Sequence, residues 1–263
     1  ILMSLAMVCL LTAAIQFPVY ADQDLTARQI MQKAEEDNRA DDSTYLLTME
    51  IRRGGSTRVR KMQMWMKSDD QGNDRSLIRF THPADVKGTG FLTIEHSDRD
   101  DDQWLYLPAL KKVRRIASGK KGGSFMGSDF SYADMGAGDI DDYRYKLTGS
   151  EVIDGNDCYV IEETPATETV KKDEGYGKKI TWVRKDIFSA VQVQYYDKHG
   201  NYLKIMKFSD FRELEEAGVW IATHVVMSSK QKEGNETVIS YDEIEVNTGI
   251  SDDFFTQRYL TKE

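Results

Sequence analysis

The residues able to do chemistry are few, and none forms a recognisable set. His82, His96, His199 and His224 fall on four separate segments, so no two stand at the spacing that presents paired imidazoles to a metal. Cys158 heads a strand-like segment and reads as a small core residue; a nucleophilic role would need a base beside it in the fold. There is no G-x-S-x-G elbow and no H-E-x-x-H pair. Gly88-Thr89-Gly90 is too short for a dinucleotide fingerprint and leads into a strand instead of a helix, while Lys120-Lys121-Gly122-Gly123-Ser124 has phosphate-contacting residue types without P-loop spacing. The run Asp98-Arg99-Asp100-Asp101-Asp102 invites a calcium loop, but Gln103 stands where that loop needs Gly and Ala109 where it needs a bidentate Glu. It reads as a solvated turn. None of the many carboxylate pairs is singled out by its surroundings, so a two-carboxylate hydrolase has no support. The expectation is a protein that is not an enzyme and uses no metal or cofactor.

Three other features stand out. Met49 and the series Met62, Met64, Met66 lie on one face of two adjacent strands, and methionine suits a surface that must fit varied apolar partners. The segment from Trp104 to Ile116 runs from apolar and aromatic residues into Lys111, Lys112, Arg114 and Arg115, with Lys120 and Lys121 beyond. That basic patch is either a docking surface for an anionic head group or acidic partner, or a basic strand face balanced by Asp98–Asp102. The glycine-rich stretch 122–135 carries Phe125, Met126 and Phe130, side chains too costly to leave in water.

The elements that must position these residues follow from periodicity. Thr26 with Gln29 makes a capping box ahead of a helix with an Ile30, Met31, Ala34 stripe. Alternation then predicts a hairpin, Tyr45–Ile51 and Val59–Lys67, around Gly54-Gly55. Further strands are expected at 76–80, 90–95, 103–107, 112–116, 143–150, 158–163, 179–184, 190–196, 203–208, 221–228 and 237–246. Between the sixth and seventh, residues 117–140 form a long loop with a short helical turn, the kind of segment that serves as a lid. Strand after strand without helical periods argues for an antiparallel meander that curls into an open barrel.

Compartment and partners come from the ends and the charge. Residues 1–21 have an uncharged apolar stretch closing on Pro18-Val19-Tyr20-Ala21, the layout of a cleaved secretory signal peptide, leaving 22–263 as one domain. Cys158 is then the single cysteine, so stability must come from core burial. A net charge of −9 argues against nucleic-acid binding.

The blocks Phe80-Thr81-His82-Pro83-Ala84-Asp85-Val86-Lys87-Gly88-Thr89-Gly90-Phe91-Leu92, Trp104–Ile116 and Ser124–Met135 resemble the outer-membrane lipoprotein-sorting protein family of LolA-like and LolB-like periplasmic carriers. That resemblance implies a mainly β fold: an incomplete antiparallel half-barrel with an N-terminal helix and a helix or loop lid over an apolar cavity. It implies a monomer that binds lipid or lipoprotein acyl chains and exchanges them with membrane partners. Those partners would be an inner-membrane exporter of the resistance-nodulation-division type or an outer-membrane acceptor. A basic strand residue latches the lid in such carriers; Arg52, Arg58 and Arg60 are the basic residues of the first hairpin here, and none is assigned that role. On this reading Met49, Ile51, Met62, Met64, Met66, Phe91, Trp104, Leu105 and Leu107 line the cavity, with Phe125, Met126 and Phe130 at its mouth. Lys111, Lys112, Arg114, Arg115, Lys120 and Lys121 form the docking surface. The alternative is a periplasmic interaction or sensor module beside the same exporter, which a filled interior would favour.

Overall fold

Two glycines start the sheet. Gly54 and Gly55 both have positive φ, 51° and 81°, as the tightest hairpin turn demands, and they join β1 (Asp42–Arg53) to β2 (Ser56–Ser68). In β1 the side chains of Tyr45, Leu47, Met49 and Ile51 are buried in alternation, and their cross-strand partners begin with Met64 and Met62. The computed structural model describes residues 25–69, 72–136, 138–230 and 234–262; the expected signal peptide at 1–21 lies outside them. No helix of the described residues is long and apolar enough to cross a membrane.

The strands expected from alternation all form, several of them longer than the period alone suggested. After the hairpin come β3 (Asp74–His82), β4 (Gly90–Ile94), β5 (Asp102–Leu107) and β6 (Lys112–Arg115). The second half holds β7 (Tyr143–Ile153), β8 (Asn156–Pro165), β9 (Tyr176–Arg184), β10 (Ala190–Asp197), β11 (Tyr202–Leu214), β12 (Val219–Ser229) and β13 (Glu236–Val246). They make one antiparallel sheet in the order β6-β5-β4-β3-β2-β1-β13-β12-β11-β10-β9-β8-β7. Each half is a meander, and the halves are joined by the pairing of β1 with β13, for example Met49 opposite Ile239. The sheet curls without closing, so β6 and β7 remain free edges. Those two strands are consecutive in sequence, and the chain between them therefore has to cross from one free edge to the other. Residues 117–136 make most of that crossing, over the concave face.

The main core fills that face with Tyr45, Leu47, Met49, Ile51, Met62, Phe80, Phe91, Leu105 and Phe125 from the first half, and Tyr195, Val225, Met227 and Ile239 from the second. Helix α1 (Ala27–Glu36) starts with the expected capping box, Thr26 N–H donating to Gln29 Oε1 at 2.9 Å and Gln29 N–H to Thr26 Oγ1 at 3.3 Å. Its Ile30 is fully buried against Ile161 and Val183.

Two features escaped the sequence. A short helix α2 (Glu168–Glu174) follows β8, capped by the Thr167 hydroxyl. The chain after β13 folds onto the convex face, where Ile250, Phe255 and Leu260, the last in α3 (Gln257–Leu260), pack on Leu77, Leu92 and Tyr106. Asp42 holds that segment by accepting from the backbone N–H of Thr248, Gly249 and Ile250 and from the Thr248 hydroxyl, at 2.8–3.2 Å. The same packing explains Gly88-Thr89-Gly90. A Cβ on Gly90 would lie 2.5 Å from Leu260 Cδ1, and Gly88 turns at φ 80°.

Candidate functional site

The crossing segment is a lid fastened in two ways. Its rings enter the core: Phe125 is fully buried, with ring centroids 5.2 Å from Phe91, 6.0 Å from Phe80 and 5.7 Å from Tyr132. Its tip turns at Met126 and Gly127, with φ 50° and 76°, and closes with Phe125 N–H donating to Phe130 C=O at 2.7 Å. Polar ties then reach it from both halves of the sheet. Arg60 of β2 donates to the Met126 carbonyl, and Arg53 at the end of β1 pairs with Asp129 at 2.8 Å. Lys204 of β11 pairs with Asp134 and donates to the Asp129 carbonyl at 3.2 Å, while Tyr176 of β9 donates to Asp134 at 2.8 Å. Of the three hairpin arginines named from sequence, Arg60 touches the lid. Arg52 is held by Glu50 and Glu236, and Arg58 is exposed.

Beneath the lid lies a cavity of about 260 Å³ whose wall is mostly apolar. Met62, Met64, Met66 and Phe130, four of the residues named from sequence, line it. The opposite wall, which sequence reasoning missed, comes from Met206 and Phe208 of β11, Val225 of β12 and Ile239 and Tyr241 of β13. Alternation within those strands was the available signal; what it lacked was a reason to face them towards the first hairpin. Met49, Ile51, Phe91, Leu105 and Phe125 occupy the same interior but as packed core, and Leu107 and Met126 pack at its margin. Trp104 is a correction. Period two along β5 turns Leu105 inward and Trp104 outward, onto the convex cluster with Leu77, Leu92 and Tyr106.

At one end the wall becomes polar. Asp74, Ser76, Thr93, Glu95 and Asp134 line it there, and Met66 and Asp74 also line a neighbouring groove of about 370 Å³ under α1. That groove is walled by Glu35, Arg39, Tyr143, Tyr145, Glu163 and Lys179. Burial raises the Glu95 carboxyl to about 8; the Asp74 N–H, donating to it at 2.7 Å, opposes the rise, and the Asp74 charge adds to it. Burial likewise raises Asp74 and Glu163.

The basic segment divides. Arg115 donates to Asp102 at 3.0 Å and Lys121 pairs with Asp101 at 3.6 Å, so these two are balanced by the acidic run. Asp102 is itself buried and held to about 2: burial would raise it, and hydrogen bonds from Arg99, Arg115 and His96 outweigh that. The solvated turn expected at 98–102 therefore holds for Asp98 and Asp100 and not for Asp101 and Asp102. Lys111, Lys112, Arg114 and Lys120 are exposed and form no ion pair among the described residues. They sit on or beside β6, the free edge. Cys158 is fully buried beside Val160, Trp182 and Val191, and its thiol lies 3.4 Å from the Asn156 carbonyl. No group of three or more metal-ligating side chains stands together among the described residues.

An open antiparallel sheet curled around an apolar cavity, with a lid strung between its free edges, defines a LolA-like half-barrel. A family described only as "Uncharacterized protein" matches residues 72–262. An outer membrane lipoprotein-sorting protein domain from Vibrio parahaemolyticus is 31% identical over 90% of this chain and 98% of its own, with a TM-score of 0.84. A DUF1329 family protein from Desulfovibrio piger is 34% identical over 89% of this chain and 97% of its own, with a TM-score of 0.83. A LolA superfamily protein from Nitrosomonas europaea, 22% identical over 89% and 99% of the two chains, shares the fold at a TM-score of 0.71. No curated protein matches the chain. The chain belongs to the family of the outer-membrane lipoprotein-sorting and DUF1329 proteins.

Proposed function

We propose that the protein is a periplasmic carrier that takes an acyl chain of a lipid or lipidated protein beneath the lid and passes it to a membrane partner. The observation that carries this reading is the cavity itself, walled by both halves of the sheet and roofed by a segment fastened with breakable polar ties. The lipoprotein-sorting name of the Vibrio relative and the expected signal peptide agree with it. Burial supplies about 0.8 kcal/mol per CH₂, so even partial insertion of a long chain outweighs the few hydrogen bonds that hold the lid. No bond is made or broken; cargo leaves when a partner offers it an equally apolar site.

Docking falls to the exposed cations Lys111, Lys112, Arg114 and Lys120 on or beside β6, which would face an exporter of the resistance-nodulation-division type or an outer-membrane acceptor. The protein purified gently from its own compartment and extracted with organic solvent should yield near-stoichiometric lipid or acylated peptide by mass spectrometry. Bare protein that also fails to bind an uncharged fluorescent probe would sink the carrier reading.

A further inference from the structure

The polar end of the cavity is built from oxygens. Thr93 of β4 is 2% exposed, and its hydroxyl has no hydrogen-bond partner among the described residues. Two residues on, Glu95 uses Oε2 to accept from Asp74 N–H at 2.7 Å, while its Oε1 has no partner. Register places Ser76 opposite Thr93, so both hydroxyls and the Asp74 and Glu95 carboxyls border one patch of wall. A buried oxygen left without a partner is costly, and a native fold keeps one where something else satisfies it.

The charge pattern is as informative. The cavity wall contains Asp74, Glu95 and Asp134 and no Lys, Arg or His. The cations paired with two of these carboxylates are thereby engaged. Arg39 pairs with Glu35 at 2.6 Å and Asp74 at 3.6 Å, and Lys204 pairs with Asp134.

We infer that this end of the cavity seats the uncharged, hydrogen-bond-donating head of a single-chain amphiphile, a hydroxyl or primary amide, and discriminates against phosphate and carboxylate heads. The inference rests on the carrier reading and narrows its cargo. A hydroxyl or primary amide both donates and accepts: it can donate to Thr93 Oγ1 and accept from the protonated Glu95 carboxyl, whose other oxygen is taken by the Asp74 N–H. A phosphate or carboxylate could accept from those hydroxyls, but it buries a negative charge beside Asp74 and Asp134 with no free cation to offset it. Glu95, raised to about 8 by burial, adds no charge at neutral pH to draw in an ammonium head. Size points the same way: about 260 Å³ lies below the roughly 300–1,000 Å³ typical of drug-sized sites, which fits one slender chain and not a bundle.

The test is displacement of diphenylhexatriene, an uncharged apolar fluorophore, from the whole protein at neutral pH. Competitors share one alkyl chain: hexadecane, hexadecanol, hexadecanamide, palmitate and hexadecyl phosphate. The alcohol and amide should displace the probe at concentrations about tenfold or more below those of the two anions. Thr93→Val should shrink that preference and leave displacement by hexadecane unchanged. Ser76→Ala, which removes the hydroxyl opposite Thr93, should do the same if the valine variant is poorly folded. Anions that displace as well as the alcohol would overturn the head-group assignment while leaving the carrier reading standing. If the probe fails to bind, or no competitor displaces it, both fall together.

Discussion

Thr237 and Asp129, 108 residues apart, exchange two hydrogen bonds. The Thr237 hydroxyl donates to the Asp129 carboxylate at 2.8 Å and accepts from the Asp129 N–H at 3.0 Å. Thr237 is fully buried in β13, opposite Ile51 of β1. The pair therefore ties the lid tip to the seam where the two halves of the sheet meet, and the Arg53–Asp129 ion pair adds to the same carboxylate.

Replacing that hydroxyl should loosen the lid and spare the sheet. Thr237→Val keeps the shape and removes both bonds, for a cost of about 1–2 kcal/mol. Hydrogen exchange should rise at amides in residues 123–135 and stay unchanged in β1 and β13. Equal acceleration in the strands would mean that the tie supports the whole fold rather than the lid.

Arg60 and Arg53, which tie the lid, should slow release. In Arg60→Met the apolar stem remains and the bond to the Met126 carbonyl is lost. Dissociation of diphenylhexatriene, followed by stopped-flow fluorescence, should quicken by several-fold, about what one lost hydrogen bond permits. The double variant with Arg53→Met should be faster still. An unchanged rate would show that the buried rings of Phe125 and Phe130, not the polar ties, control opening.

Filling the cavity should abolish binding without unfolding the protein. Met64 lines the open space rather than the packed core, so Met64→Trp occupies cargo volume at an overpacking cost of about 1–3 kcal/mol. Probe affinity should drop by about tenfold or more while a cooperative thermal transition persists. Retained affinity would place the apolar binding surface elsewhere.

Glu95 makes stability depend on pH in a defined direction. Its carboxyl is raised by burial from 4.5 to about 8, with the Asp74 and Asp101 charges adding to the rise and the Asp74 N–H and Arg39 opposing it. The folded state therefore holds a proton that the unfolded state releases first. The stabilisation is complete below about pH 4.5 and is lost progressively as pH climbs through about 8. The urea midpoint of the wild type should fall across that window relative to Glu95→Gln. Parallel curves from pH 4 to pH 9 would contradict a buried, protonated Glu95.

The basic edge is tested with its structural member left in place. Arg115 supports buried Asp102, so the substitution is Lys111→Ser, Lys112→Ser and Arg114→Ser together. Transfer of cargo to membranes should weaken and become less sensitive to salt, with probe binding unaltered. Unchanged transfer would remove this edge from the mechanism.

Much of the architecture was legible because it is local. The period-two alternation of Tyr45 to Ile51, the Gly54-Gly55 turn and the Thr26–Gln29 box each depend on neighbours within a few residues, and each formed as read. The aromatic residues of the glycine-rich stretch announced a lid because water would not tolerate them exposed. The family resemblance, carried by contiguous blocks, was equally visible in sequence order.

What sequence could not supply was anything requiring two distant strands to meet. Trp104 and Leu105 can both be buried, and only the direction in which the sheet curls decides which one faces the cavity and which the convex cluster. The second wall, Met206, Phe208 and Tyr241, came into play when β1 paired with β13, a contact spanning most of the chain. The choice of Arg60 and Arg53 as lid ties, and the unpartnered oxygens of Thr93 and Glu95, were likewise set by packing that local sequence does not show. Alternation tells each strand that it has an inside; the curl and register of the sheet, set by packing between halves, decide what that inside contains.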